Sequence, residues 1–185
     1  MLADAPVQAR TQIARQDPYG SLEFGRLLLM SDSDIALLRH TVAALAYRAG
    51  KALRGAPPEF ANFAGATRTP VQILAHMGDL FDWAVGLADG RHAWQDSAPR
   101  PWDQEVARFF AALEVFDRRL ANGEELGFPA ERLFQGPIAD ALTHTGQIAM
   151  LRRMAGCPMK GENYFKAEIR AGMVGIKQAA PRVEF

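Results

Sequence analysis

Asp140 and His144 lie four residues apart in an apolar, helix-patterned stretch that spans residues 136–148. Because an α-helix turns about 100° per residue, residues at positions i and i+4 project from the same face. A carboxylate oxygen and an imidazole nitrogen are both good ligands for a borderline divalent cation. His76, in a second helix-patterned stretch, adds a third donor if the two helices pack together. The sequence therefore predicts a metal site of two histidines and one aspartate.

Each of these residues also has a purely structural explanation. Asp140 and His144 could form an i, i+4 ion pair, which contributes about 0.2–0.5 kcal/mol to helix stability. Asp140 also lies in the first turn of its predicted helix, where the helix dipole favours an acidic side chain. His76 could be a partly buried histidine hydrogen-bonded to a carbonyl group, and Asp79 could orient its ring or lie at a solvated edge. The metal site therefore depends on His76 meeting the other two ligands in space.

The other candidate residues carry weaker signals. His40 lies opposite the apolar stripe of its helix and His92 lies in a polar connection, so both are expected to be exposed. Cys157 is the only cysteine, which excludes an internal disulfide, and no histidine lies close to it in sequence to activate it. The chain contains no Walker loop, Rossmann fingerprint or Gly-x-Ser-x-Gly motif.

The composition narrows the classes of function. The 185 residues include 21 basic and 21 acidic side chains, so no basic excess indicates a nucleic-acid partner. The longest strongly apolar run, residues 27–30, is far too short to cross a membrane. The first residues lack the basic and apolar regions of a secretory signal. We therefore expect a cytoplasmic protein that acts on a small-molecule substrate, with no nucleic-acid or membrane partner.

Four amphipathic helices are predicted, at about residues 34–53, 70–89, 103–121 and 137–155. The second begins most clearly, because Thr69 and Gln72 form a T-x-x-Q capping box around Pro70. The fourth is predicted to begin at Pro137, a favourable first helical residue.

These elements predict an all-α fold, a four-helix bundle over residues 33–156. An extended N-terminal arm (1–32) precedes the bundle, and a C-terminal tail (157–185) is expected to pack on it within a single domain. Residues 162–170 of the tail are compatible with a further helix.

Two motifs in this chain resemble those of the DinB/YfiT-like superfamily. The letters HTGQI from His144, followed by LRR and a G-x-P stop, resemble the last helix of that superfamily, and TPxxILxH ending at His76 resembles its second helix. That superfamily is a four-helix bundle with three histidine ligands, one on helix two and an H-x-x-x-H pair on helix four. The resemblance implies that His76 and His144 are the first and last ligands, while Asp140 stands where the middle histidine is expected.

The resemblance also implies a function. Characterised relatives include enzymes that use low-molecular-weight thiols, such as bacillithiol S-transferases and the mycothiol-dependent maleylpyruvate isomerase. Other relatives carry a damage-inducible label and have no known activity. We therefore expect a metal-dependent enzyme with Zn²⁺ or Ni²⁺ as the cation and a low-molecular-weight thiol as cofactor. A metal-dependent hydrolase is a less favoured variant of the same hypothesis.

Gln147 is the candidate residue for steadying a bound ligand or water, since it lies on the same shoulder of the helix as the two predicted ligands. The alternative function is a non-catalytic stress-response or interaction bundle whose metal site is vestigial, which the aspartate in place of a histidine favours. Related bundles often form dimers, so a homodimer is a further expectation.

Overall fold

The computed structural model describes residues 32–185 and confirms the all-α four-helix bundle. Residues 1–31 of the predicted N-terminal arm lie outside the described residues, and Asp32 begins the first helix. None of the described helices combines the length and the apolar character needed to cross a membrane. The principal elements are α1 (Asp32–Leu53), α2 (Pro70–Ala88), α3 (Trp102–Ala121), and a last helical segment formed by α4 (Ala130–Leu133), a π-helical turn (Phe134–Ile138) and α5 (Ala139–Met154).

The predicted capping box fixes the start of α2. Thr69 has an extended backbone, and its N–H donates a hydrogen bond of 2.8 Å to Oε1 of Gln72. Pro70, which has no N–H to leave unsatisfied, is the first helical residue. The local sequence therefore determines where α2 begins, and with it the position of His76 in the second turn.

The core lies where the apolar faces of the helices meet. On α2 the predicted stripe is fully buried and consists of Leu74, Met77, Phe81, Ala84 and Ala88. Phe81 packs edge-on against Phe109 and Phe116 of α3, with ring centroids 6.0 and 5.7 Å apart. This packing joins α2 to α3, while α5 packs against both α1 and α2.

The last helix begins seven residues earlier than predicted. Pro137 was expected to be its first residue, but the helical segment starts at Ala130 and Pro137 lies inside the π-helical turn. Proline cannot donate the i to i−4 hydrogen bond, and its ring clashes with the carbonyl group one turn earlier. The wider i to i+5 spacing of a π-turn accommodates such a residue. The turn ends immediately before α5, so Asp140 is the second residue of α5.

The tail does not form the helix predicted at residues 162–170. Only a short 3₁₀ turn, Tyr164–Lys166, is present there. Backbone hydrogen bonds instead pair Asn163 with Val183 and Gly161 with Phe185, and the Asn163 side chain accepts from the N–H of Phe165. Because these hydrogen bonds pair the start of the segment with the end of the chain in an extended arrangement, the same backbone groups cannot form helical hydrogen bonds.

Glu162 fastens the tail to α1. Its carboxylate is buried and accepts hydrogen bonds of 2.7 Å from the Tyr47 hydroxyl and 2.8 Å from Nζ of Lys51. Burial by itself raises the pKa of Glu162, but the bonds from Lys51 and Tyr47 outweigh it and hold the pKa below its ordinary value. Glu162 therefore holds its part of the tail against α1.

Arg152 joins the C-terminal ends of α5 and α1. Only 5% of this residue is exposed, and its guanidinium donates hydrogen bonds to the carbonyl oxygens of Ala52, Arg54, Gly55 and Cys157. Carbonyl groups at a helix C-terminus lack partners within the helix. A cation there also interacts favourably with the negative end of the helix dipole. Arg152 therefore satisfies several otherwise unpaired acceptors at once.

We expect Arg152→Met to lower the free energy of unfolding by about 2–3 kcal/mol, because it leaves buried carbonyl groups without their charged donor. Arg153→Met is the matched control, since the neighbouring arginine is exposed and its replacement should change stability by less than about 0.5 kcal/mol. Urea denaturation followed by circular dichroism measures both values. Equal stabilities for the two variants would contradict this role for Arg152.

Candidate metal centre

The structure brings together the three residues predicted as metal ligands. His76 projects from α2 towards the first two turns of α5, where Asp140 and His144 lie on one face. One carboxylate oxygen of Asp140 lies 3.5 Å from Nε2 of His76, and the other lies 3.4 Å from Nε2 of His144. The two imidazole rings are perpendicular, with centroids 4.9 Å apart. One ligand atom from each residue can be chosen so that all three lie within 4.8 Å of one another.

The separations between donor atoms fit a small divalent cation. Two ligands bound at about 2.0–2.2 Å in tetrahedral geometry are about 3.3–3.6 Å apart. The distance from one Asp140 oxygen to Nε2 of His76 and the distance from the other oxygen to Nε2 of His144 both fall in that interval. Imidazole nitrogen and carboxylate oxygen are also the donor types that such ions accept. The group could therefore hold a metal ion.

The three side chains differ in exposure. His144 and His76 are 12% and 19% exposed, whereas the Asp140 side chain is 46% exposed. The imidazoles are thus set into the bundle surface, and the carboxylate lies at its rim. The site is open to solvent on the side of Asp140.

Gln147 orients the ring of His144. Its side-chain carbonyl oxygen lies 2.8 Å from Nδ1 of His144. A carbonyl oxygen only accepts hydrogen bonds, so Nδ1 is the donor, and the lone pair of the neutral ring lies on Nε2, which faces Asp140. Partners of this kind commonly fix the tautomer of a metal-binding histidine. Cofactor binding by Gln147 stays a prediction, whereas its hydrogen bond to His144 is present.

The surroundings of His76 favour the neutral ring that a metal requires. Burial lowers the pKa of His76, and the nearby His144 and Arg68 lower it further, while Asp140 acts in the opposite direction. The net pKa lies below the ordinary value for histidine. His76 is therefore neutral and able to donate its lone pair at pH 7.

Asp79 forms a buried ion pair, which is neither of the two roles expected from the sequence. It neither orients His76 nor lies at a solvated edge, because it is 4% exposed and forms an ion pair with Arg108 of α3. The backbone N–H of Ser97 also donates to it, at 3.0 Å. Burial raises the pKa of Asp79, but the hydrogen bonds from Arg108 and Ser97 outweigh this effect and keep the pKa below its ordinary value. Asp79 thus fastens residues 90–101 to α2.

That connection builds an aromatic wall beside the site. Trp94 contacts the ring of His76, with ring centroids 5.4 Å apart. Trp94 also contacts the ring of Trp83, at a centroid distance of 5.7 Å. The exposed His92 packs against Trp83, at 5.5 Å. Sequence reasoning placed His92 correctly in an exposed connection. It missed the wall because the order of residues in a polar loop does not indicate which helix the loop covers.

A cavity of about 240 Å³ opens next to His76. It is lined by Thr67, Arg68, Gln72, His76, Asp79, Asp96, Ser97 and Pro99. A larger cavity of about 370 Å³ lies on the far side of Gln72 and Pro99, but none of the three candidate ligands lines it. The smaller cavity is therefore the one relevant to the metal centre.

Comparison with protein-family models, curated proteins and solved structures gave no match to this chain. The resemblance to the DinB/YfiT-like superfamily therefore stays a prediction from two short motifs. What can be concluded about the centre comes from its own geometry.

We expect His144→Ala to abolish stoichiometric metal binding while the bundle remains folded, because His144 lies on the shoulder of α5 and not in the central apolar stripe. The loss of stability should be smaller than the roughly 2–5 kcal/mol of a large core truncation. His40→Ala is the matched control, since His40 is exposed on α1, and it should keep full metal occupancy. Elemental analysis and circular dichroism test both variants, and a fully occupied His144→Ala protein would exclude His144 as a ligand.

Proposed function

We propose that this protein is a metal-dependent enzyme that transfers a low-molecular-weight thiol to an electrophilic substrate. The observation that carries the proposal is the grouping of His76, Asp140 and His144, which each offer one ligand atom within 4.8 Å of the others. Zn²⁺ or Ni²⁺ suits this set of two imidazoles and one carboxylate. The two motifs that resemble thiol-using bundles support the choice of a thiol.

The arrangement favours an exchangeable ligand at the ion. Structural zinc sites normally have four protein ligands, whereas catalytic sites have three and leave a position open. Residues 32–185 supply three protein donors here, and a cavity lined in part by His76 lies next to them. A bound cation would hold the sulfur of a thiol as thiolate at neutral pH.

The side chains around the ion have distinct tasks in this proposal. Gln147 keeps Nε2 of His144 directed at the centre, and Asp140 supplies the only anionic donor among residues 32–185. The thiol proton passes to solvent on the open side of the site. The sulfur then forms a bond to an electrophilic carbon, and the leaving group departs with its bonding electrons.

A second candidate is a non-catalytic bundle with a vestigial metal site. Its specific support is that Asp140 is nearly half exposed and that its oxygens lie 3.4 and 3.5 Å from the two imidazoles, distances that also suit direct contacts without an ion. Metal content separates the two candidates, because a stoichiometric ion in protein purified without a histidine tag supports the enzyme. An empty site under the same conditions supports the second candidate.

We expect the zinc-loaded protein to accelerate the reaction of L-cysteine with monobromobimane above the uncatalysed rate, measured by the fluorescence of the product. The acceleration should disappear after chelation, return with added zinc, and be absent in His144→Ala but present in His40→Ala. A zinc-loaded protein that accelerates the reaction of no small thiol would contradict the transferase, although not the metal site.

Replacement of Asp140 distinguishes a ligand from an ion-pair partner. Asp140→Asn keeps the size of the side chain but removes the anionic donor of the His76, Asp140 and His144 group, so we expect a large loss of zinc affinity in titration calorimetry. Asp140→His restores three imidazoles and should retain or strengthen binding. Unchanged affinity in Asp140→Asn would place the carboxylate outside the coordination sphere, since loss of an ion pair alone costs only about 0.2–0.5 kcal/mol.

A further inference from the structure

The cavity beside His76 contains charged side chains that the metal centre does not use. Three of its lining residues, Arg68, Asp79 and Asp96, carry a formal charge at pH 7. Asp79 is neutralised by Arg108, which lies outside the lining. The cavity therefore also presents one cation, Arg68, and one anion, Asp96.

Neither of these two side chains is satisfied by the protein. Within residues 32–185, Arg68 and Asp96 form no hydrogen bond or ion pair with another residue, although both line the same cavity. They also do not pair with each other, because no N···O distance between them is as short as 4.0 Å. Arg108, which lies close to the cavity, has a carboxylate partner in Asp79. A ligand that carries both charges could bridge the gap.

The size and the remaining lining fit a small polar molecule. A volume of about 240 Å³ is below the roughly 300–1,000 Å³ of sites for drug-sized ligands. Thr67, Gln72 and Ser97 add side chains that both donate and accept hydrogen bonds. His76 forms part of the wall, so a molecule in the cavity lies next to the metal centre.

We propose that this cavity binds the α-amino-acid end of a small zwitterion, with its carboxylate on Arg68 and its ammonium group on Asp96. A guanidinium can donate two parallel hydrogen bonds to a carboxylate, and a carboxylate accepts readily from an ammonium group. The proposal rests on the proposed function in one respect, namely that the other end of the ligand carries the thiol that reaches the metal. It assigns the thiol class as an aminothiol acid of about the size of cysteine.

Three thiols that differ by one charged group test this assignment. L-Cysteine has both charges, cysteamine lacks the carboxylate, and 3-mercaptopropionate lacks the ammonium group. Titrated into the zinc-loaded protein, L-cysteine should bind about tenfold or more tightly than either of the others, because each removes one charge-assisted contact. The metal content is measured again after each titration, since free thiols can also extract zinc.

Two variants assign each charge to its residue. Arg68→Met should lower the affinity for L-cysteine and 3-mercaptopropionate about tenfold or more and leave the affinity for cysteamine unchanged. Asp96→Asn should lower the affinity for L-cysteine and cysteamine and leave the affinity for 3-mercaptopropionate unchanged. Arg153→Met and Glu125→Gln are the controls for a lost surface charge. All four positions are exposed, and circular dichroism checks that each variant is folded.

L-Alanine, which has no thiol, separates this proposal from the proposed function. If L-alanine binds the metal-free protein and loses affinity in both variants, the zwitterion site stands even where the thiol transferase fails. Equal affinity for the three thiols, or a loss confined to one of the two variants, overturns the zwitterion site. If zinc binds with full occupancy while Arg68→Met and Asp96→Asn change no affinity, the metal centre stands and the zwitterion site is wrong.

Discussion

Burial of the apolar face of α2 is the constraint on which the metal centre depends. Phe81 is enclosed by Phe109 and Phe116 of α3, and Leu74 and Met77 are fully buried on the same helix. Close-packed interiors do not permit a helix to rotate without losing many contacts. The rotation of α2 is therefore fixed by side chains that have no chemistry of their own. That rotation directs His76 to α5. It also directs Asp79, three residues further along α2, to Arg108 of α3.

Buried charges then hold the less regular parts of the chain against this core. Arg108 joins α3 to Asp79 of α2, and Asp79 holds the backbone of Ser97 in the connection over the site. Glu162 ties the tail to α1 in the same manner, through Tyr47 and Lys51. A buried ion pair repays its desolvation only when its geometry is good and its remaining hydrogen bonds are satisfied. Both carboxylates meet that condition, because each accepts bonds from more than one donor.

Local patterns predicted most of this bundle, and long-range contacts account for what they missed. The capping box at Thr69 and the stripe through Phe81 are local, and both are confirmed. The predicted start at Pro137 was wrong because a proline inside a π-turn has the same local sequence as one at a helix start. The buried face of the last helical segment includes Ile138, Ala141 and Thr145. It also includes the buried Arg152, three of whose four carbonyl partners lie 97 to 100 residues away in sequence.

The same distinction applies to the candidate site. The i, i+4 spacing of Asp140 and His144 is a property of one helix and was evident from the sequence, whereas the approach of His76 depends on how two helices pack. The partner of Asp79 could not be predicted, since Arg108 lies 29 residues away on α3. The asymmetry of the site follows from these positions: two largely buried imidazoles would set the location of an ion, while the carboxylate lies at the open rim. Because a solvated carboxylate has a smaller desolvation cost than a buried one, Asp140 can neutralise a cation there without closing the last coordination position. A centre built to stabilise the fold has no need of that opening, and a centre that binds and releases a small molecule requires it.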